Sequence, residues 1–332
     1  MQINSQEVPF VWTEIGRKPG KYVLNAIKIN SELFPDQPRY LILSKEFAGK
    51  IKLPDCEIVL EEQLIQTENS IQFRDTPKNW SWSQANYWTN TTRRFFVLEQ
   101  FLMSFGFKQL IHLESDTILL DKNYIDDLFR DSTWGIKYTK QDAYTGCASV
   151  FLVNSIEKLK NFNRFIIENW ENPTNTDMTL LSDYQKLKSK NSYLPSGDII
   201  ESNTVFDAGT IGRYYLGGDA RNNRIPFSTR GLLPGTKEFF DPSDFRAEFH
   251  GKSIRIIDSN GKALSLACVH LHSKRVPRSI KLLNKSLIKE SNAKRNIVWK
   301  IGVLDFGVIN ERIKSFLQRR IFRNKTADPR VR

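Results

Sequence analysis

Gln109-Leu110-Ile111-His112-Leu113-Glu114-Ser115-Asp116-Thr117-Ile118-Leu119 is the stretch that decides the fold. A short, almost unbroken apolar run ends abruptly in two carboxylates one residue apart. Apolar side chains at successive positions predict a strand buried on both faces, as in a parallel sheet covered by helices. Just upstream, residues 93–105 predict a helix, with Thr91 or Thr92 as its N-cap and Gly106 ending it. Further back, strands are expected at 8–13, 40–43 and 56–60, with a helix over 22–33 that Pro35 and Pro38 break. Residues 78–90 are rich in Trp, Asn and Ser and read as a loop.

Downstream, a strand is expected at 148–152, helices at 156–170 and 177–187, a Gly-rich loop over 195–218, and a last strand at 267–272. Strand, helix and strand in alternation imply an α/β fold, with a mostly parallel sheet, right-handed crossovers and flanking helices. In such sheets ligands bind beyond the carboxyl ends of the strands, and Glu114 and Asp116 stand at such an end.

The 332 residues are 40% hydrophobic and 26% charged, the balance of an ordinary globular chain that can bury a core without disulfide staples. Cys56, Cys147 and Cys268 are far apart and show no CxxC spacing, which excludes a zinc-finger framework and favours a reducing compartment. No signal peptide is expected at Met1-Gln2-Ile3-Asn4-Ser5, and no apolar stretch reaches the ~18 residues of a membrane span. We expect a cytoplasmic protein, peripheral at the inner face of a membrane if its tail docks there.

Charge is unevenly placed. Residues 277–332 hold fifteen Lys and Arg against four acids, so this stretch carries +11 of the net +12. Apolar Ile297, Ile301, Leu304, Val308, Phe316 and Leu317 recur there near helical spacing, interleaved with Arg312, Lys314, Arg319, Arg320 and Arg323. A basic amphipathic helix lying on an anionic membrane fits this pattern, and so does a terminal helix packed on the body with a solvated basic face. Nucleic acid ranks last, because no recognised binding motif accompanies the charge. The expected organisation is a catalytic domain over 1–276, divided near 120, and a basic helical appendage over 277–332.

Two carboxylates at a strand end suit a hard divalent cation such as Mn²⁺ or Mg²⁺, which takes oxygen ligands and bridges them to phosphates. Late in the chain, His270-Leu271-His272-Ser273-Lys274 puts two of the four histidines two apart on an expected strand, hence on one face. Imidazole can join such a metal site, and Lys274 can neutralise a diphosphate.

Residues 93–120 resemble the GT-A glycosyltransferases, in which an Arg-bearing helix, a strand and a DxD motif follow in that order. Here the first acid is Glu114. The His270 segment resembles the late His motif of glycogenin-like and related bacterial and viral sugar transferases. The resemblance implies a nucleotide-sugar donor, UDP-linked by preference, and a glycan or lipid-linked acceptor. It implies metal ligands Glu114, Asp116 and His270 or His272, with Arg94, Glu114, Asp116 and Lys274 toward the donor. Tyr144-Thr145-Gly146-Cys147-Ala148 resembles the acceptor-side floor, where Gly146 admits a sugar. The segment Leu181-Ser182-Asp183-Tyr184-Gln185 resembles the family's Asp-Gln helix. Asp183 is thus the first catalytic candidate, with Asp177 behind it and Gln185 toward substrate. The run Phe206-Asp207-Ala208-Gly209 to Asp219 and Arg221 resembles an acceptor-proximal segment, with Asp207 a second candidate base. A nucleotidyltransferase would need a Gly-rich basic loop after the first strand, and none is present. A non-catalytic carbohydrate- or membrane-binding module is the remaining alternative.

Overall fold

The computed structural model describes residues 8–49, 51–76, 85–131, 133–142, 144–187, 193–196, 203–212, 246–250, 253–257, 260–272, 274, 276–278, 280–283 and 285. Asp219, Arg221 and residues 286–332 of the basic tail lie outside them.

The chain opens with β1 (Phe10–Glu14), α1 (Lys21–Leu33), β2 (Arg39–Leu43), the short α2 (Lys45–Ala48) and β3 (Glu57–Leu60). Two helices follow, α3 (Glu68–Asp75) and α4 (Ala85–Phe105), then β4 (Leu110–Leu113), β5 (Thr117–Leu119) and α5 (Asn123–Arg130). Next come β6 (Ile136–Lys140), β7 (Gly146–Val153), α6 (Ile156–Asn169), α7 (Asp177–Leu187) and β8 (Thr204–Phe206). The last described strands are β9 (Arg246–His250), β10 (Ser253–Ile257) and β11 (Ala263–His270).

The main sheet runs β3-β2-β1-β4-β7-β6. Its first four strands are parallel, and β7 pairs antiparallel with both β4 and β6, so the sheet is mixed and mostly parallel. Alternation along β1 explains the layers. Val11 faces the helices α4, α6 and α7 with Ile42, Phe95, Phe101 and Phe162. Phe10 and Trp12 face the other way, onto α1, α5 and the second sheet. Both faces are dry, which is why these strands read as continuous apolar runs. Each such large side chain fully removed from water contributes about 1.5–3 kcal/mol.

The second sheet runs β5-β11-β10-β9, with β8 pairing to β11. The segment after β4 therefore leaves one sheet and enters the other within three residues, Glu114-Ser115-Asp116. Helix α1 holds the sheets together: Val23 and Ile27 pack toward the first, Ala26 and Ile29 toward the second. Buried Asn30 of α1 donates to Thr117 O at 3.1 Å and accepts from Leu119 N–H at 2.9 Å, which pins β5 to the helix.

Three expectations change. Helix α4 starts at Ala85, so residues 85–90 are helical, and Thr91 lies inside the helix with its hydroxyl bonded back to Trp88 O at 3.0 Å. Strand β11 begins earlier than expected and ends at His270, leaving His272 beyond it. Strands β5, β6, β8, β9 and β10 were not expected at all, and β8 falls within the stretch read as a Gly-rich loop.

Candidate active site

The acidic turn is fixed by three backbone bonds. Glu114 N–H donates to Ser149 O of β7 at 3.0 Å, Thr117 N–H closes the turn onto Glu114 O at 2.9 Å, and Leu271 N–H donates to Asp116 O at 2.7 Å. Antiparallel register places His270 opposite Thr117. These constraints set the imidazole against both acids: His270 Nε2 lies 3.1 Å from Glu114 Oε2 and 3.2 Å from Asp116 Oδ1. The other ring nitrogen, Nδ1, lies 3.7 Å from Cys147 Sγ on β7. The His272 ring lies beside that of His270, tilted by 35° with centroids 4.1 Å apart.

Two cations flank the acids. Lys274 Nζ reaches Asp116 Oδ2 at 3.0 Å and sits 4.9 Å from the Tyr22 ring. To bring its side chain back over the site, Lys274 adopts φ +55°, a left-handed conformation that costs a lysine about 1–2 kcal/mol. On α4, buried Arg94 forks between Glu114 and Asp177 at the start of α7. Arg94 Nε is buried and has no hydrogen-bond partner among the described residues.

Burial works to raise the pKa of both turn carboxylates, yet neighbouring cations win. Arg94 and His270 hold Glu114 well below the usual carboxylate range, and His270 and Lys274 do the same for Asp116. Burial pushes the His270 pKa down, but the Asp116 charge overcomes it and raises it well above the ordinary imidazole value. Asp177 moves the other way: burial raises it, and Arg94 offsets only part. His112, next to the turn, is not part of the cluster. Burial and the Arg94 charge hold it down to about 3, and its Nδ1 meets Val11 O at 2.9 Å.

The structure thus brings Arg94, Glu114, Asp116, Asp177, His270 and Lys274 together. Asp183 lies elsewhere, at the surface of α7 in an ion pair with Lys186 at 2.6 Å. Gln185 is buried on α7. Gly146 is where β7 meets α7: a Cβ there would approach Leu181 Cβ to 2.7 Å, so its small size serves that packing. Asp207 is buried, with both carboxylate oxygens facing backbone N–H groups. Sequence reasoning missed Cys147, whose Sγ, with ligand atoms of Glu114 and His270, falls in a group spanning 4.8 Å. It also ranked Asp183 above Asp177. Helical periodicity favours the reverse, since Asp177, Leu181 and Gln185 share the buried face.

No family model and no curated protein matches the chain. Among solved structures it is similar to the PaToxG glycosyltransferase, at 12% identity and TM-score 0.39 over 55% of this chain and 70% of that one. It is also similar to an active-site variant of LgtC, at 13% identity and TM-score 0.39 over 71% of this chain and 89% of that one. A third is a glycosyltransferase involved in glycosylation of the major capsid of PBCV-1, at 13% identity and TM-score 0.33 over 60% and 84%. At such scores the chemistry has to be read from the site itself.

Proposed function

We propose that this chain is a glycosyltransferase that moves a sugar, of the hexose type, from a nucleoside diphosphate donor to a glycan or lipid-linked acceptor. The observation that carries the reading is the convergence of partly buried Glu114 and buried Asp116, on a turn between two sheets, with buried His270 at the end of β11, ringed by Arg94 and Lys274. Two carboxylates and an imidazole form a donor set that suits Mn²⁺ or Mg²⁺. Glu114, Asp116 and His270 would hold the ion, with His272 beside them. When bound, such an ion supplies Lewis-acid stabilisation of the departing diphosphate. Lys274, 3.0 Å from Asp116 Oδ2, would add a positive charge at the same side. Arg94 keeps Glu114 and Asp177 in register. Gln185, buried on α7, is assigned to the acceptor side, with Asp219 and Arg221 following in the chain.

The test is release of nucleotide from a panel of nucleotide sugars, UDP-sugars first, with Mn²⁺ and with or without chelator. Slow, chelator-sensitive release from one donor is expected. Absence of turnover together with absence of any nucleotide-induced thermal shift would favour a non-catalytic binding module instead.

No helix among the described residues is long and apolar enough to cross a membrane. The +11 charge of residues 277–332 supports docking of the tail on an anionic cytoplasmic membrane surface. Flotation with anionic but not neutral liposomes is the expected result, and equal recovery with both would sink the idea.

A further inference from the structure

The geometry points to Asp207 as a positioning residue that holds His270 in place for a metal, rather than as a base that exchanges a proton. This rests on the reading of His270 as a ligand. Asp207 follows β8, and β8 pairs with β11, so the two chain segments run side by side to the site. The Asp207 carboxylate is almost fully buried. Its Oδ1 accepts from Gly209 N–H at 2.7 Å and Ile211 N–H at 3.0 Å. Its Oδ2 accepts from Gly212 N–H at 2.8 Å and from His270 N–H at 3.0 Å. Four backbone donors fill the in-plane acceptor capacity of a carboxylate, so no lone pair is left directed at an acceptor hydroxyl.

The fourth bond matters most. Pairing of β11 with β8 ends at Cys268 and Phe206, and on that side Asp207 takes up the His270 N–H, while on the β5 side Leu271 N–H bonds to Asp116 O. Asp207 and its turn also close on His270 from outside. A Cβ at Gly212 would lie 1.9 Å from His270 O, and one at Gly209, where φ is +121°, would lie 2.0 Å from His272 Nε2. Only glycine lets the turn come this near. One side chain therefore sets two things at once, the turn over residues 207–212 and the height of the imidazole above Glu114 and Asp116. Groups that orient a metal-bound histidine without touching the metal usually act through its ring. Here the hold is on the backbone of the histidine itself.

The experiment titrates Mn²⁺ into the full chain and follows it by electron paramagnetic resonance. Loss of the aqueous Mn²⁺ signal gives affinity, and pulsed measurement of ¹⁴N coupling reports imidazole at the metal. The wild-type protein should show nitrogen coupling that His270→Ala removes. Asp207→Asn keeps one acceptor oxygen and turns an NH₂ toward N–H donors. It should weaken Mn²⁺ binding roughly 10- to 100-fold and diminish the coupling while melting cooperatively. If Asp207→Asn does not fold, Gly212→Ala reads the same point, since its methyl must push on the His270 carbonyl with no change of charge. Wild-type affinity and coupling in either folded variant overturns the inference and leaves the ligand assignment standing. Wild-type protein with no His270-dependent coupling overturns the ligand assignment, and this inference with it.

Discussion

Two buried acidic turns meet at His270, and they are satisfied in opposite ways. In Glu114-Ser115-Asp116 the carboxylates face side chains: Arg94, His270 and Lys274. Among the described residues, the Asp207 carboxylate accepts from four backbone N–H groups. Side-chain cations can swing away and be replaced by an incoming charge. Backbone donors cannot. A carboxylate neutralised by movable partners is available to a ligand, and one saturated by fixed partners is part of the frame. Composition alone does not separate these two kinds of aspartate.

The strongest test of the contrast is Asp116→Asn. Turnover should fall roughly 1,000-fold, about 4 kcal/mol of transition-state stabilisation, while the melting temperature stays near that of the wild type. Retained turnover in a steady-state assay would remove Asp116 from the chemistry. Asp207→Ala should show the reverse weighting. Leaving four buried N–H groups without an acceptor should cost about 3 kcal/mol in urea unfolding. A stability loss within 1 kcal/mol would mean that water replaces the carboxylate and that the clamp is dispensable.

Lys274→Gly is a smaller, mixed case. Turnover should drop on the order of tenfold as the ammonium is lost. Stability should change by less than about 1 kcal/mol, because relief of the left-handed strain offsets the lost ion pair. A large stability loss would show that Lys274 belongs to the frame rather than to the movable set. Cys56, remote from both turns, gives the weakest effect. Burial pushes its thiol up to about 12. Its neutral form is favoured by folding, so that contribution is complete below the unfolded thiol pKa, near 8.5, and is lost as pH rises from there through 12. Alkylation of Cys56 at pH 8 should be slow in native protein and fast in urea. Equal rates would contradict its burial.

Much of the first sheet was legible because its strands are dry on both faces and so spell themselves as apolar runs. Helix α7 was read with its observed ends. The start of α4 was not, because Tyr87, Trp88, Asn90, Thr91 and Thr92 have low helix propensity, and tertiary contacts override it. The antiparallel entry of β7 was invisible for a different reason: strand direction leaves no trace in a short apolar run. At the site, Glu114, Asp116, His270 and Lys274 were found by residue type and by position at strand ends. Asp177 was ranked second because its value depends on Arg94, which meets it across 83 positions of sequence. Asp207 was picked out for its charge, and the bonds that define it are to backbone groups that no sequence pattern displays.

The pairing of Asp116 with Lys274 spans 158 positions. A ribosome adding about 5–20 residues per second makes the lysine roughly 8 to 30 s after the aspartate. During that interval the acids of the turn have been made without His270 and Lys274, and a nascent chain cannot hold the finished site. Only when β11 lies down between β5 and β10 do all the charges come into range. Any ligand that needs the completed site is therefore bound late in the life of each molecule, after the second sheet has closed.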